Sequence, residues 1–247
     1  MLWVGTSWKM NGTLAWSRDY AVRLAAVVRE ERFPGVQPFV IPSATALSTV
    51  RTAVDADSRV LLGIQNAHWA KSGPWTGEIS VPQAADAGAT LVEIGHSERR
   101  AHFGETDETV NLKVSATLRQ GLRPILCVGE SAEVFARGAS DDFVLAQVDA
   151  ALAGIDDIGP TLIAYEPVWA IGDEGREPEP EDVAGVFAAL SDAYGDQVTA
   201  LLYGGSVNLQ NAPRLLAVPG VCGLFVGRSA WNVESYLALL RIVAAAR

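Results

Sequence analysis

Eight short runs of apolar and β-branched residues recur along the chain. They are nearly continuous rather than alternating, which is typical of strands that are covered on both faces, as in parallel sheets. The pattern therefore predicts eight parallel strands. The runs lie at residues 3–8, 37–43, 60–67, 91–96, 123–129, 161–168, 199–205 and 223–228.

Segments with helical periodicity separate these runs. A capping box at Ser80 and Gln83 predicts one helix, which Gly88 would end. Thr106 or Asp107 can cap another helix after the fourth strand. In five longer segments apolar residues recur at spacings of three and four, the period of an amphipathic helix. These segments are residues 14–28, 110–122, 132–152, 182–194 and 233–246.

The alternation of strand and helix has few architectural solutions. Right-handed crossovers favour either a doubly wound open sheet or a closed barrel, and periodicity alone does not choose between them. No G-x-G-x-x-G follows the first strand, which weakens the open dinucleotide-binding sheet. No linker or change in composition divides the 247 residues, a length close to that of one barrel. We therefore expect the α/β class, with residues 1–247 forming one (β/α)8 barrel domain.

Composition excludes several classes of function. The net charge of −10 opposes nucleic-acid binding, which needs a basic surface. No apolar run approaches the roughly 18 residues of a membrane span, so no membrane partner is expected. Lys9 falls where a signal peptide would need its apolar centre, and we expect a cytoplasmic protein. The histidine and cysteine positions have no zinc-like spacing, and no metal is expected.

Three polar residues lie where the chemistry of a barrel is expected, at the C-terminal ends of strands. Lys9 closes the first strand, His96 closes the fourth, and Glu166 lies near the end of the sixth. A carboxylate among apolar strand residues costs free energy unless it has a task or a partner. Each residue also has a plain structural interpretation: a solvated lysine, a hydrogen-bonded histidine and a buried salt bridge.

Glycine turns follow the last two strands, at Y-G-G-S (residues 203–206) and V-G-R-S (residues 226–229). Glycines after strands seven and eight of a barrel allow backbone N–H groups to approach a phosphate closely. An acidic protein can bind a phosphorylated substrate through such N–H groups and one or two cations. The proline after Glu166 and the loop that ends at Gly172 indicate a hinged lid.

Four motifs in order, W-K-M-N (8–11), G-H-S-E-R-R (95–100), A-Y-E-P-V-W-A-I-G (164–172) and Y-G-G-S-V (203–207), resemble triosephosphate isomerase. The resemblance covers essentially the whole chain. It implies an isomerase that needs no cofactor and moves a proton on a small phosphorylated ketose. It also implies a catalytic base at Glu166, an electrophile at His96 and a cation at Lys9 beside the developing enediolate. The implied phosphate-binding residues are Gly172, Gly205, Ser206 and Gly227, and the implied lid comprises Trp169, Ala170, Ile171 and Asp173.

The loop of residues 69–78, from Trp69 to Glu78, resembles the interdigitating third loop of that family. It carries two tryptophans, Trp69 and Trp75. Tryptophans at an exposed loop tip are costly to leave in water and usually mark a contact. We therefore expect a homodimer that forms through this loop.

Departures from the family pattern concern the substrate. Ser7 replaces the asparagine of N-W-K, which leaves more room at the reacting end of the pocket. Residues 171–176 of the lid read I-G-D-E-G-R, and the G-G of the eighth turn is Gly227 and Arg228. Arg228 could add charge to the phosphate site or point away.

G-T-S-W-K-M-N, Q-N-A-H-W and G-R-S-A-W-N-V-E together resemble a side branch of the family that acts on L-erythrulose 1-phosphate. That branch implies conversion to D-erythrulose 4-phosphate, in erythritol catabolism. Two alternatives remain at this point: an ordinary triosephosphate isomerase, and a non-catalytic barrel that senses a sugar phosphate. The presence of Lys9, His96 and Glu166 together argues against the second.

Overall fold

The computed structural model describes residues 1–54, 59–172 and 175–246. Its eight strands run parallel and form a closed barrel in the order of the sequence, with β1 paired to both β2 and β8. The predicted (β/α)8 barrel is therefore confirmed, whereas a single domain over residues 1–247 stays a prediction. The strands are β1 (Leu2–Ser7), β2 (Val36–Ile41), β3 (Leu61–Ile64), β4 (Leu91–Ile94), β5 (Arg123–Val128), β6 (Leu162–Tyr165), β7 (Ala200–Tyr203) and β8 (Gly223–Val226).

Ten α-helices lie within the described ranges. The capping box at Ser80 is formed, and Thr106 caps the helix that follows the fourth strand, both as predicted. None of the helices in these ranges combines the length and hydropathy that a membrane span needs. The helices are α1 (Leu14–Glu31), α2 (Leu47–Ala53), α3 (Val81–Asp86), α4 (Ser97–Phe103), α5 (Asp107–Arg119), α6 (Ala132–Ala136), α7 (Ser140–Leu152), α8 (Pro180–Tyr194), α9 (Ala212–Leu216) and α10 (Val233–Ala245).

The helix predicted over residues 132–152 is two helices, α6 and α7. The break lies at Gly138, whose φ of 66° is in the left-handed region that ends a helix. Three helices, α2, α4 and α9, were not predicted from periodicity. Each has seven residues or fewer, which is too short to repeat an apolar spacing.

The core has two layers, one inside the barrel and one between the strands and the helices. Successive side chains of a strand point to opposite sides, so every second residue of a strand faces the interior. The interior is filled by apolar side chains, and the barrel is a packed core rather than a pore. The fully buried members of the interior layer are Trp3, Phe39, Ile41, Leu91, Ile125, Cys127, Leu162, Ala164, Ala200, Leu202 and Phe225.

The loop of residues 69–78 differs in part from the prediction, because only one of its two tryptophans is exposed. Trp75 is 47% exposed, whereas Trp69 is half-buried and packs against the core. His68 lies between them, with ring centroids 4.0 Å from Trp69 and 4.2 Å from Trp75. This stack holds Trp75 at the surface in a fixed orientation.

Candidate active site

A cleft of about 400 Å³ opens at the C-terminal ends of the strands, where the sequence places its candidate residues. Trp169 and Ala170 do not line the cleft, and Asp173 lies outside the described residues. The predicted residues that line it are Ser7, Lys9, His96, Glu166, Ile171, Gly172, Gly205, Ser206, Gly227 and Arg228.

Glu166 follows β6, and its carboxyl group is buried in the wall of the cleft. The backbone N–H of Glu166 donates to the carbonyl of Val128 at 2.7 Å, which continues the pairing of β6 with β5. Gly204 leaves space for the side chain, because a Cβ there would lie 2.6 Å from Cγ of Glu166. Within the described chain, Oε2 of Glu166 has no hydrogen-bond partner. The described residues therefore leave the hydrogen-bonding capacity of that oxygen unused.

Burial raises the pKa of Glu166 to about 8, and the nearby carboxyl group of Glu93 adds to the increase. Lys9 acts in the opposite direction, since a cation favours the ionised carboxylate. A carboxylate with a raised pKa is a stronger base than one in water. The ionised form of Glu166 therefore suits removal of a proton from a weak acid, and the positive charge of Lys9 favours that form.

His96 caps the N-terminus of α4 and presents one ring nitrogen to Glu166. Its Nδ1 accepts the backbone N–H of Glu98 at 3.1 Å, so the proton of the neutral ring lies on Nε2. Nε2 is 3.5 Å from Oε2 of Glu166. Burial lowers the pKa of His96 to about 4, and the positive charge of Lys9 contributes to the decrease. At neutral pH His96 is therefore an uncharged hydrogen-bond donor.

Lys9 is held in a strained backbone conformation at the edge of the cleft. Its φ of 50° is uncommon for a residue with a side chain, and such strain is concentrated at functional sites. The side-chain amide of Gln65 donates to the Lys9 carbonyl at 2.8 Å, which helps to fix this conformation. The ammonium group of Lys9 lies 2.7 Å from Oε1 of Glu98.

The charged residues of G-H-S-E-R-R form separate ion pairs. Glu98 pairs with Lys9, whereas Arg99 binds the buried carboxylate of Glu105 at 2.7 Å. Arg100 binds an aspartate of α5 at 2.6 Å. The two arginines therefore stabilise the structure around the cleft, and Glu98 positions the cation of the cleft.

The glycine turns after β7 and β8 follow neighbouring strands, and they line the cleft together with Gly172. The hydroxyl of Ser206 donates to the carbonyl of Ala170 at 2.5 Å, which ties the seventh turn to the lid segment. Gly172 has a φ of 87°, a conformation that glycine adopts without strain. Gly227 precedes a short 3-10 helix, Arg228–Ala230, whose first residue lines the cleft.

Trp169 anchors the segment predicted as a lid, and it does not line the cleft. Its indole N–H donates to Oε1 of Glu130 at 2.7 Å, and the hydroxyl of Tyr165 donates to the same oxygen at 3.0 Å. The guanidinium of Arg176 lies 4.9 Å from the centre of the Trp169 ring. The two ends of the lid segment are thus joined through this tryptophan.

Glu93 is a buried charged residue of the cleft that was not predicted from the sequence. It lies in β4, it is buried, and its Oε2 accepts the hydroxyl of Ser7 at 2.7 Å. Burial raises the pKa of Glu93 to about 7, although the hydrogen bond from Ser7 opposes the increase. A signal was present in L-V-E-I-G-H. In that run Glu93, like Glu166, is a carboxylate among apolar strand residues, which is costly without a task or a partner.

The cleft combines a buried carboxylate, a neutral imidazole and an ammonium group. Such a set can remove a proton beside a carbonyl while it stabilises the oxygen that gains negative charge. No group of three or more His, Cys, Asp or Glu side chains in the described ranges is arranged to hold a metal ion. The side chains of the cleft suit proton transfer on an anionic carbonyl compound.

Comparison with known proteins assigns the chain to a family. The family model for triosephosphate isomerase matches residues 2–244. The L-erythrulose-1-phosphate isomerase of Mycolicibacterium smegmatis is 56% identical over 246 residues, which cover 99% of this chain and 94% of that protein. Proteins of the same name from Mesorhizobium japonicum and Rhizobium etli are 48% and 49% identical, over 99% and 100% of this chain and 98% and 94% of theirs.

We predict that Glu166→Gln stabilises the protein by an amount that grows with pH. Between pH 4.5 and about 8 the folded state keeps a proton on Glu166 that the unfolded chain releases. Wild-type stability therefore falls through that range, by at most about 1.4 kcal/mol per pH unit from this group. The glutamine variant lacks this titration. Denaturant unfolding of both proteins at several pH values tests the prediction, and a constant difference in the free energy of unfolding would contradict it.

Proposed function

The chain belongs to the triosephosphate isomerase family, and we propose that it interconverts L-erythrulose 1-phosphate and D-erythrulose 4-phosphate. Membership of the family makes the chain an isomerase. The observation that carries the proposed reaction is the convergence of Glu166, His96 and Lys9 on one cleft. The choice of substrate is supported by the name of the relatives and by the replacement of the family's asparagine with Ser7.

The proposed substrate is dihydroxyacetone phosphate with one additional CH2OH group on the carbon that loses its proton. In the proposed reaction Glu166 takes the proton from C3, and the C–H electron pair forms the C2=C3 bond of an enediolate. The C2 oxygen gains the negative charge. The proton of the C3 hydroxyl is transferred to the C2 oxygen, and Glu166 returns its proton to C2. The carbonyl has then moved to C3, and no oxidant or cofactor is consumed.

His96 and Lys9 stabilise the enediolate in this proposal. The neutral ring of His96 donates its Nε2 proton to the oxygen that gains charge, and the ammonium of Lys9 supplies a positive field. The pairing of a glutamate base with a neutral histidine is already known from triosephosphate isomerase itself. The geometry described above is compatible with those roles.

We assign the phosphate to the rim of the cleft that is formed by the glycine turns after β7 and β8. Backbone N–H groups at Gly205 and Gly227 can approach it closely, and Ser206 and Arg228 line the same rim. Closure of the lid, which includes Gly172, would exclude water from the enediolate and limit loss of phosphate. This assignment puts the phosphate and the reacting carbons within a single cleft.

We also propose that the chain forms a homodimer through the loop of residues 69–78. Besides Trp75, two apolar side chains are strongly exposed near the cleft, Met10 at 97% and Phe103 at 69%. Both line a groove beside the cleft, together with Glu78 at the base of the loop. Exposed apolar side chains around a groove are typical of a contact surface. The loop of a second copy is the occupant that the family resemblance supports.

The two remaining predictions from composition and resemblance, a cytoplasmic location and a role in erythritol catabolism, stay predictions. A non-catalytic sugar-phosphate sensor would not need the unpartnered Oε2 of Glu166 directed at Nε2 of His96. An ordinary triosephosphate isomerase shares those groups, and it differs from the proposal only in its preferred substrate. The decisive comparison is therefore between two substrates of one enzyme.

The first prediction is that the purified protein prefers the tetrulose phosphate. We expect kcat/KM for L-erythrulose 1-phosphate to exceed that for dihydroxyacetone phosphate by at least roughly 10-fold, the discrimination that a small group supports. Both substrates are assayed side by side with one enzyme preparation. A higher kcat/KM for dihydroxyacetone phosphate would leave an ordinary triosephosphate isomerase, and no turnover of either would favour a sensor.

The second prediction concerns the base. Glu166→Gln should lower kcat by roughly 10²- to 10⁴-fold, because the amide cannot accept the proton. Calorimetry should show that the variant still binds the tetrulose phosphate, since the side chain keeps its shape. Turnover close to that of the wild type would remove Glu166 from this role.

The third prediction concerns assembly. Sedimentation velocity at micromolar concentration should show a dimer, and Trp75→Glu should shift it towards monomer because a charge would be buried in the contact. Phe143→Glu is a matched control, since Phe143 is similarly exposed but lies on α7. A monomeric wild type, or equal effects of the two variants, would count against the proposed interface.

A further inference from the structure

We propose that Glu93, together with Ser7, forms the subsite that binds the terminal hydroxymethyl group of the substrate. Glu93 would accept a hydrogen bond from the C4 hydroxyl and so determine the preference for a four-carbon ketose phosphate. The inference rests on the proposed function and adds to it the residue that selects the substrate. Neither the mechanism above nor the family motifs use this carboxyl group.

The strand register places Glu93 directly above the apolar interior of the barrel. Leu91, two residues earlier on β4, belongs to the buried interior cluster, and strand alternation turns Glu93 to the same side. The eleven buried residues of that cluster are all apolar. A carboxylate at the next level is costly unless it has partners, and its presence there indicates a function.

Glu93 has acceptor capacity that the protein does not use. A carboxylate offers about four lone-pair sites on its two oxygens. Within the described residues, the hydrogen bond from Ser7 at 2.7 Å is the one that the carboxyl group receives. The hydroxyl of Ser7 donates its proton to the hydrogen bond with Glu93, and its oxygen lone pairs can still accept a hydrogen bond from another donor. The pair is therefore a polar patch of the cleft wall that can bind a hydroxyl group.

Glu93 lies where the far end of the substrate is expected, and its side chain reaches across the barrel mouth to Ser7, whose strand β1 pairs with β8. L-Erythrulose 1-phosphate carries phosphate on C1 and the hydroxymethyl group on C3, on opposite sides of the reacting C2–C3 bond. The assigned phosphate rim follows β7 and β8, and in a closed ring of eight strands β4 lies opposite β8. Glu93 therefore faces the phosphate rim across the cleft, and Glu166, the proposed base, lines the cleft with it.

A triose phosphate would leave this subsite without its ligand. Dihydroxyacetone phosphate has a hydrogen atom where the tetrulose phosphate has its CH2OH group. A buried acceptor that loses its partner costs more than a lost apolar contact, so sites that bind a hydroxyl reject analogues that lack it. Ser7 and Glu93 together therefore provide selectivity as well as space.

The test combines a change in the enzyme with the matching change in the substrate. The enzymes are the wild type, Glu93→Leu and Glu93→Gln, and the substrates are L-erythrulose 1-phosphate, its 4-deoxy analogue and dihydroxyacetone phosphate. Each pair gives a kcat/KM value. Loss of the Glu93 charge also lowers the pKa of Glu166, but that effect acts on every substrate and cancels in their ratio.

We expect the wild type to favour the hydroxyl substrate over its 4-deoxy analogue by roughly 10- to 100-fold in kcat/KM. In Glu93→Leu the two substrates should become nearly equal, and the preference over dihydroxyacetone phosphate should fall by a similar factor. Glu93→Gln keeps an acceptor oxygen and should retain part of the preference. A residue with a purely structural role would lower all three values together.

The outcomes distinguish failure of the proposed function from failure of the proposed role of Glu93. If the wild type prefers dihydroxyacetone phosphate, the proposed function fails and the inference fails with it. If the wild type prefers the tetrulose phosphate but treats the 4-deoxy analogue equally, the inference alone is overturned. If the ratio of kcat/KM values for the hydroxyl substrate and its 4-deoxy analogue is unchanged in a folded Glu93→Leu protein, the inference alone is likewise overturned. The comparison of substrates with the wild type remains decisive even if a variant does not fold.

Discussion

Two carboxyl groups, those of Glu93 and Glu166, are buried at the mouth of a barrel whose interior is apolar. Removal of an ionised carboxylate from water costs free energy, so each group keeps its proton to a higher pH than it would at the surface. The raised pKa that results, about 8 for Glu166, makes its carboxylate a stronger base. The apolar filling that stabilises the barrel thus also sets the basicity at its mouth.

The same burial acts in the opposite direction on His96, because the charged form of a histidine is the protonated one. The ring is neutral, and the N–H of Glu98 at Nδ1 decides that its proton lies on Nε2. Glu98 also holds the ammonium group of Lys9. Glu98 therefore fixes both the tautomer of His96, the proposed electrophile, and the position of the Lys9 ammonium group.

The residues proposed to transfer the proton and the residues proposed to select the substrate are different residues of the cleft. The proposed proton-transfer groups and the glycine turns are those that a whole family can share, since every phosphorylated ketose needs them. Glu93, proposed to select the substrate, lies on β4, and its carboxyl group accepts the hydroxyl of Ser7 on β1. A barrel can change its substrate by altering such a rim without disturbing the reacting centre. Family membership and substrate preference are accordingly separate inferences here.

The sequence by itself determined the local features: eight buried strands, the longer helices, two of the caps, and three polar residues at strand ends. These follow from periodicity and residue type, which act over a few neighbouring positions. The break at Gly138 and the short helices were not predicted, because an apolar period can be recognised only over several helical turns. The pairing of Ser7 with Glu93 spans 86 residues, and that of Lys9 with Glu98 spans 89, so only closure of the barrel brings them together. The pKa values likewise depend on burial and distance, which exist only in the folded chain.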